Sequence, residues 1–508
     1  MIRIFIVSSF FGACSSLSFS FFFLIPLKII GFIFYLKNLY LYKDIKKIFY
    51  LSVGFGFGYF LVGLHWIIFP LTFDSFFKNF IPFVIILFPL FFSLFFFIAS
   101  YLYVIFLRNL KIHRTKIFFN SFLITLILFL CEYLRAFIFG GFPWNLHGHI
   151  WAFDFRFIQI SKYIGVFGLS FLTIFWIVLI ANLFMKRSYN SCAIVLLIFP
   201  LTLFLFSLND EKNISNEFIK IRIVQPNIPQ EKKWSKIYIT ENLQKTIDLS
   251  FDQINKNSKP EIIIWPEVAI PFIIEENLDF RKILPLSLLK DSLLITGALR
   301  KENVNNNLNI FNSLFVLSAN GVEDYYDKRK LVPFGEYFPL RRFFNFKKIT
   351  DGNKDFSPGI ENKNIQFTFE NKKITFEPSI CYEGIFQNNQ KFKKESDFII
   401  NITNDAWFGT TSGPSQHLTA TRFRSVEKGI PLIRVANTGI SAIFNEKGKR
   451  LISIPLNVEQ SETLIINLNK KKTLFSRYGN LCLVILIFLV CLLSNIIDNF
   501  LLRKKSEL

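Results

Sequence analysis

At 508 residues the chain exceeds the ~100–200 residues of one ordinary domain, so at least two units are expected. Hydrophobic residues make up 52% of it and crowd into 1–208 and 481–502, whereas 209–475 has the polarity of a soluble domain. A net charge of +21 would suggest a nucleic-acid binder in a soluble protein. The basic residues instead sit between apolar segments and form no aromatic-interleaved module, so no nucleic-acid partner is expected.

In chain order, Arg3 and the run IFIVSSFFGACSS have the look of a signal peptide, and FGAC resembles a poor lipobox at Cys14. Apolar sequence resumes at once through Phe21–Leu36, which favours an uncleaved membrane helix. A spanning helix needs ~20 predominantly apolar residues, because lipid offers no partner to an open backbone. Such runs lie near 3–20, 21–36, 48–69, 80–107, 117–138, 158–184, 191–208 and 481–501, eight spans with both termini on one side. With the N-terminus inside, Arg3, Lys37, Lys43, Lys46, Lys47, Arg108, Lys111, Arg114, Lys116, Lys186, Arg187, Arg503, Lys504 and Lys505 are inner. Only Lys28, Lys78, Arg135, Arg156 and Lys162 are outer, a bias that fits the positive-inside rule. Seven spans precede Asn209, so domain 209–475 is expected outside a multi-pass bacterial inner-membrane protein, in the periplasm. Glu132 and Arg135, three apart on one helix, are spaced to pair. The GGFPWNLHGH loop (140–149) then sets Trp144 at the interface, as an anchor or as the rim of a substrate gate.

Beyond Asn209 the periods change. Lys220–Val224, Glu261–Trp265, Leu293–Ala298, Ser313–Leu317, Ile374–Ser379, Asp397–Ile402, Leu432–Val435 and Thr463–Ile466 read as short strands. Ile237–Ile254 and Gln416–Lys428 read as helices, and Asn371 and Asn445–Gly448 as hairpin turns. Strands alternating with helices and hairpins predict a layered α/β domain with a mixed sheet.

Five of the six cysteines (Cys14, Cys131, Cys192, Cys482 and Cys491) fall in apolar spans, where they read as small buried residues. Cys381 alone lies in the soluble domain, and a lone thiol in an oxidising compartment is a liability unless it is used. FEPSICYEG predicts a strand ending at the cysteine and a helix starting after it, a turn that exposes a nucleophile and offers N–H groups to an oxyanion. One soluble cysteine and one histidine, His417, cannot furnish a typical zinc set, so no metal is expected. A Cys–His pair would depend wholly on His417. Two other stations are better suited. WPEVAIPF puts Glu267 after an apolar strand, where desolvation would raise it toward a useful base. KRKLVPFGEYFP offers Lys328 and, eight residues on, Glu336; a lysine beside a thiol favours the thiolate and can bind a developing oxyanion.

Taken in order, WPE, K-x-x-L-V-P-F-G-E and CYEG resemble the Glu–Lys–Cys signature of the nitrilase superfamily. With the flanking spans, QPNIPQEKKW at 225–234 and NDAWFG at 404–409, the whole chain resembles the apolipoprotein N-acyltransferase family. The resemblance implies an α-helical membrane bundle (1–208), a nitrilase-like αββα sandwich (209–475) and a C-terminal transmembrane helix (481–501). It implies a Glu267–Lys328–Cys381 triad assisted by Glu336, with Trp234, Tyr382 and Glu383 as substrate-binding neighbours. The implied reaction takes an acyl chain from a phospholipid donor onto Cys381 as a thioester. The chain then passes to the N-terminal amine of a diacylglyceryl-cysteine on an apolipoprotein acceptor, with no cofactor. Membrane lipid is thus both surroundings and substrate. Two alternatives stand beside it: a membrane-tethered nitrilase-type amidase with water as acceptor, and a transporter or receptor with a soluble binding domain. The first would need no lipid access. The second would predict polar residues scattered through the spans and no matched triad.

Overall fold

The computed structural model describes all residues except 22–23, 108–115, 209–216, 253–258, 277–282, 285, 290–291, 305–306, 340, 342–347, 351–353, 370–371, 388–394, 469–471 and 507–508. The boundary expected at Asn209, the turn at Asn371, the inner charges Arg108, Lys111 and Arg114 and the end of the 237–254 helix lie outside the described residues, as do the side chains of Lys504 and Lys505. The chain divides into two compact units: Met1–Ile68 with Asn79–Glu211 and Thr473–Leu508, and Phe69–Lys78 with Lys212–Lys472.

The first unit is helical. Its main helices are α1 (Ile2–Ser16), α2 (Ile25–Leu41), α3 (Ile45–Gly63), α4 (Ile81–Leu102), α5 (Ile117–Arg135), α6 (Ser161–Met185), α7 (Tyr189–Leu205) and the C-terminal helix Leu481–Ser506. Among the described residues, six helices are long and apolar enough to cross a membrane: Ile2–Phe19, Ile45–Gly63, Ile81–Phe106, Ile117–Arg135, Ser161–Met185 and Leu481–Arg503. Helices α2 and α7, where two further spans were expected, have 17 residues each, the short end of the ~17–25 that can span. Lipid gives apolar helices no hydrophobic reason to associate, so close packing must supply the attraction. Helices α1 and α3 pack in this way: a Cβ on Gly12 would fall 1.9 Å from the Phe55 carbonyl oxygen, and one on Gly58 1.8 Å from that of Ser9.

Several polar groups in this unit are buried among its helices. Lys28 is wholly buried in α2, donates to the Tyr59 hydroxyl (3.2 Å) and lies 4.0 Å over the Phe19 ring. Glu132 is bonded by His147 through Nδ1 (2.5 Å), and Arg135 donates to the carbonyls of Phe142 and Trp144, both at 2.8 Å. The interfacial position expected for Trp144 is not found. Its ring is 1% exposed, packed between Trp66 (centroids 4.6 Å apart) and Phe142 (5.8 Å), because the Arg135 bond to its carbonyl folds the loop back onto the helices. Asp498 of the C-terminal helix accepts from the Phe118 and Phe119 amides at the open N-terminus of α5, where a carboxylate is favoured.

The second unit carries twelve described strands: β1 (Phe218–Gln225), β2 (Ile262–Ile264), β3 (Leu293–Val304), β4 (Asn307–Ser318), β5 (Gly321–Asp327), β6 (Ile365–Phe369), β7 (Lys372–Ile380), β8 (Phe398–Thr403), β9 (Leu432–Ala436), β10 (Ser441–Phe444), β11 (Arg450–Ile454) and β12 (Gln460–Asn467). They form two six-stranded sheets, ordered β12-β1-β2-β3-β4-β5 and β11-β10-β9-β8-β7-β6. Both are mixed: β1, β2 and β3 run parallel, as do β7, β8 and β9, and the remaining pairs are antiparallel. Alternate residues of both sheets meet in one core, for example Ile221, Ile264, Ile295 and Leu314 with Phe376, Ile400, Ile433 and Ile443. The opposite face of the first sheet packs Val224, Ile263 and Phe315 against Leu243 and Ile247 of α8 (Ile239–Phe251). That of the second packs Ile399, Leu432 and Phe444 against Leu418 of α9 (Gly413–Lys428). The αββα sandwich with mixed sheets is therefore as expected. Residues Phe69–Lys78 also belong to this unit, where Phe73 packs edge-on against Trp407 (5.4 Å).

Candidate active site

The three expected stations all leave strand ends. Glu267 follows β2, Lys328 follows β5 at once, and Cys381 follows β7 at once. The backbone beside them is forced out of its ordinary range: Val268 (φ 47°), Phe334 (φ 64°) and Cys381 (φ 50°) are non-glycine residues in the left-handed region. Such conformations cost about 1–3 kcal/mol each and persist only where the surroundings fix them. Two contacts fix Cys381 from below: its carbonyl accepts from Asn401 Nδ2 and from His417 Nε2, each at 3.3 Å. Glu267 is fixed by proximity to β3, since a Cβ on Gly297 would lie 2.3 Å from Val268 N and 2.8 Å from Glu267 Cα.

Lys328 is buried between two carboxylates, 2.9 Å from Glu336 Oε1 and 3.4 Å from Glu267 Oε1. Asn312 of β4 ties the same oxygens together, its Nδ2 lying 2.7 Å from Glu267 and 3.1 Å from Glu336. The second oxygen of Glu336 accepts from the Val332 amide (2.9 Å). Burial alone would lower the Lys328 pKa, but Glu336 and Glu267 outweigh it and hold the lysine well above its ordinary value. It is a permanent cation. The half-buried Cys381 behaves oppositely to what a neighbouring lysine alone would cause. Burial first, then the Glu267 carboxylate, push its thiol up to about 12, against the pull of Lys328 and a hydrogen bond from Thr403. The resting thiol therefore keeps its proton, and a nucleophilic role would require a neighbouring base to take it.

Glu383, two residues past the cysteine, spends its carboxylate internally. One oxygen accepts from the Tyr326 hydroxyl (3.0 Å) and the amides of Arg329 (2.8 Å) and Lys330 (3.1 Å), the other from the Ile380 amide (2.8 Å). It joins the loop that carries Lys328 to the turn that carries Cys381. Tyr382 is buried, edge-on to Phe386 (5.0 Å). Trp234 lines a groove with Lys233, Pro266, Val268 and Ala269, next to the Glu267 station.

Three features were not anticipated. Asn312 is the clamp just described. Lys233 donates to the Glu267 carbonyl (2.9 Å). Beneath the elbow lies a buried chain: Arg434 reaches Asp405 Oδ2 (2.5 Å) and Asn401 Oδ1 (2.6 Å), and Asp405 Oδ1 lies 2.9 Å from His417 Nδ1. His417 thus touches the backbone of Cys381 and supports it from behind. Among the described residues no cluster of His, Cys, Asp and Glu could hold a metal ion.

Two family models match the chain: the apolipoprotein N-acyltransferase N-terminal domain over residues 11–179, and the carbon–nitrogen hydrolase over 220–473. An apolipoprotein N-acyltransferase of Rickettsia bellii is 34% identical, over 91% of this chain and 92% of that protein. The chain belongs to the apolipoprotein N-acyltransferase family. Relatives of the same description from Rickettsia prowazekii (34% identical, 88% of this chain, 89% of theirs) and Rhodopseudomonas palustris (30%, 89% and 85%) agree. The carbon–nitrogen hydrolase match covers every station around Cys381, and the family's N-terminal domain covers most of the helical unit.

Proposed function

We propose that this member of the apolipoprotein N-acyltransferase family carries an acyl chain on Cys381 from a phospholipid to the N-terminal amine of a diacylated apolipoprotein. The observation that supports this most is the convergence of Glu267, Lys328 and Glu336 beside a strained cysteine elbow. In the first step Cys381 Sγ attacks the acyl ester carbon while its proton passes to Glu267. All hydrogen bonds to the Glu267 carboxylate among the described residues fall on Oε1, which leaves Oε2 for that proton. Lys328, always charged, supports the tetrahedral oxyanion. As the intermediate collapses, the carbon–oxygen bond breaks, Glu267 returns its proton to the leaving oxygen, and lysophospholipid departs. In the second step the acceptor amine attacks the thioester, Glu267 takes the amine's proton, and Cys381 leaves and is reprotonated. A thioester stores enough reactivity for amide formation without ATP.

In this reading Glu336 and Asn312 hold Lys328 and Glu267 in register, Trp234 lines the approach of the lipid chains, and the buried Tyr382 supports the Cys381 turn from within. The catalytic part, 209–475, stands on the periplasmic side of the inner membrane, supported by the charge bias of the spans. Family membership favours acyl transfer over the amidase, and the matched stations disfavour a transporter or receptor. Intact mass of the full chain after incubation with phospholipid vesicles alone tests the reading. One acyl group on Cys381, absent from Cys381→Ser, is expected. An unmodified wild-type protein, or an adduct that survives in Cys381→Ser, would overturn it.

A further inference from the structure

The motif QPNIPQEKKW contains a residue that the triad does not use. Lys233 ends the short helix Gln230–Lys233, which begins after Pro229. Gln230 anchors that helix to the turn after β8, accepting from Asn404 Nδ2 (2.8 Å). The anchor turns Lys233 inward. The side chain is 8% exposed, and its Nζ donates to the backbone carbonyl of Glu267 at 2.9 Å. That carbonyl belongs to the peptide leading into Val268, one of the left-handed residues (φ 47°). The site therefore holds Glu267 from two directions: Asn312 and Lys328 bind its carboxylate, and Lys233 binds its backbone. A buried ammonium given to one carbonyl is a costly fastening, since a neutral donor would serve if only a hydrogen bond were needed.

We propose that Lys233 is a positioning residue for acyl transfer, whose charged side chain fixes the Glu267 peptide and sets the base at its working distance from Cys381. The inference rests on the reading given under Proposed function. Among the described residues, the titratable groups that act on Lys233 are Glu267, after β2, and Cys381, after β7. Burial lowers the Lys233 pKa, and the two acidic neighbours only partly restore it, so it is brought down to about 8. The fastening is therefore charged at neutral pH and loses its charge as pH rises through about 8, far below the range in which Lys328 would lose its own.

The test measures single-turnover formation of acyl-Cys381 from phospholipid vesicles, without acceptor, for the full-length protein between pH 6 and 10. Omitting the acceptor removes the titration of its amine, which falls near 8 as well. Wild type should lose rate on an alkaline limb near pH 8. Lys233→Gln keeps a donor but no charge, and should acylate about tenfold slower at pH 7 with the limb gone. Lys233→Met, with neither, should be slower again by roughly tenfold, as expected when a catalytic group is left loose by a fraction of an ångström. A purely structural lysine would lower the folded fraction of the variants but leave the limb in place. Lys233→Gln acylating within twofold of wild type, or retaining the alkaline limb, would overturn the inference. Failure of the underlying reading is distinguishable, because the wild type would then form no acyl-enzyme at all.

Discussion

Replacing Glu383 with Gln removes a charge and one acceptor oxygen while preserving shape. The structure allows its cost to be worked out. Oε1 serves three donors, the Tyr326 hydroxyl and the Arg329 and Lys330 amides, and Oε2 serves the Ile380 amide. A Gln carbonyl in the place of Oε1 can keep the loop contacts, but its NH2 group then faces the Ile380 N–H, donor against donor. A buried amide left without a partner costs about 1–3 kcal/mol, and the remaining bonds fall from charged to neutral strength. Burial already raises the Glu383 pKa against the lowering effect of the Ile380, Arg329 and Lys330 amides, so removing the charge also relieves a desolvation cost. The balance is a loss of about 2–4 kcal/mol. Ile380 is the residue before the left-handed Cys381, so the loss appears where the proposed nucleophile is held. Expressed fully in the barrier, it slows formation of acyl-Cys381 by roughly 30- to 900-fold. Single-turnover acylation measured alongside thermal unfolding of the solubilised full chain reads both effects. A Glu383→Gln protein that acylates at the wild-type rate but binds the acceptor poorly would refute the reasoning and make Glu383 a substrate contact.

Two further perturbations act on the supports of the site. Gly297→Ala should reduce acylation about a hundredfold and also destabilise the domain, because the new Cβ meets the backbone of Val268 and Glu267 at 2.3 and 2.8 Å and must displace Glu267; near-normal acylation rates would show that β3 yields instead. Asp405→Asn should cost about 3–5 kcal/mol at pH 7 by stranding the buried Arg434. Burial would raise the Asp405 pKa, but Arg434 and His417 outweigh it and hold it below the ordinary aspartate value. Its contribution is thus present above that value and lost as pH falls through and below it. The gap in stability between wild type and Asp405→Asn, followed by thermal unfolding from pH 7 down to pH 3, should narrow as the pH falls, and a constant gap would refute the assignment.

The parts of the fold that the sequence makes plain are those whose residues bury both faces. The eight anticipated strands include β2, β8 and β9, where every residue is buried and most are apolar. The four that went unread are β5, β6, β10 and β11. Strands β5, β6 and β11 are sheet edges, and GVEDYYD or RLISI leaves much of its length exposed, so no apolar run marks it. Strand β10 has only four residues. At the site, Glu267, Lys328, Glu336 and Cys381 are readable because motif order ties them together, and the structure gathers them. Asn312 had a signal that went unused. It shares a strand face with Leu314 and Val316, both in the central core, and a polar residue on such a face must find partners. Arg434 carried a similar signal on the outer face of β9, which it shares with Leu432, buried against Leu418 of α9. Lys233 carried none, because in EKKW it looks like any surface lysine, and only the anchoring of Gln230 turns it inward. The opposite shift of the Cys381 thiol also escaped a reading based on a neighbouring lysine, since burial and Glu267 cannot be weighed without coordinates.

The central claim is that Cys381 carries the acyl chain between two substrates that never meet. The most direct measurement isolates the enzyme after exposure to phospholipid, removes all free lipid, and adds a synthetic diacylglyceryl-cysteine peptide. The account predicts that the mass added to Cys381 disappears as an equal amount of acyl chain appears on the peptide amine, with no phospholipid present. An adduct that persists, with peptide acylation resuming only when phospholipid is restored, would contradict it.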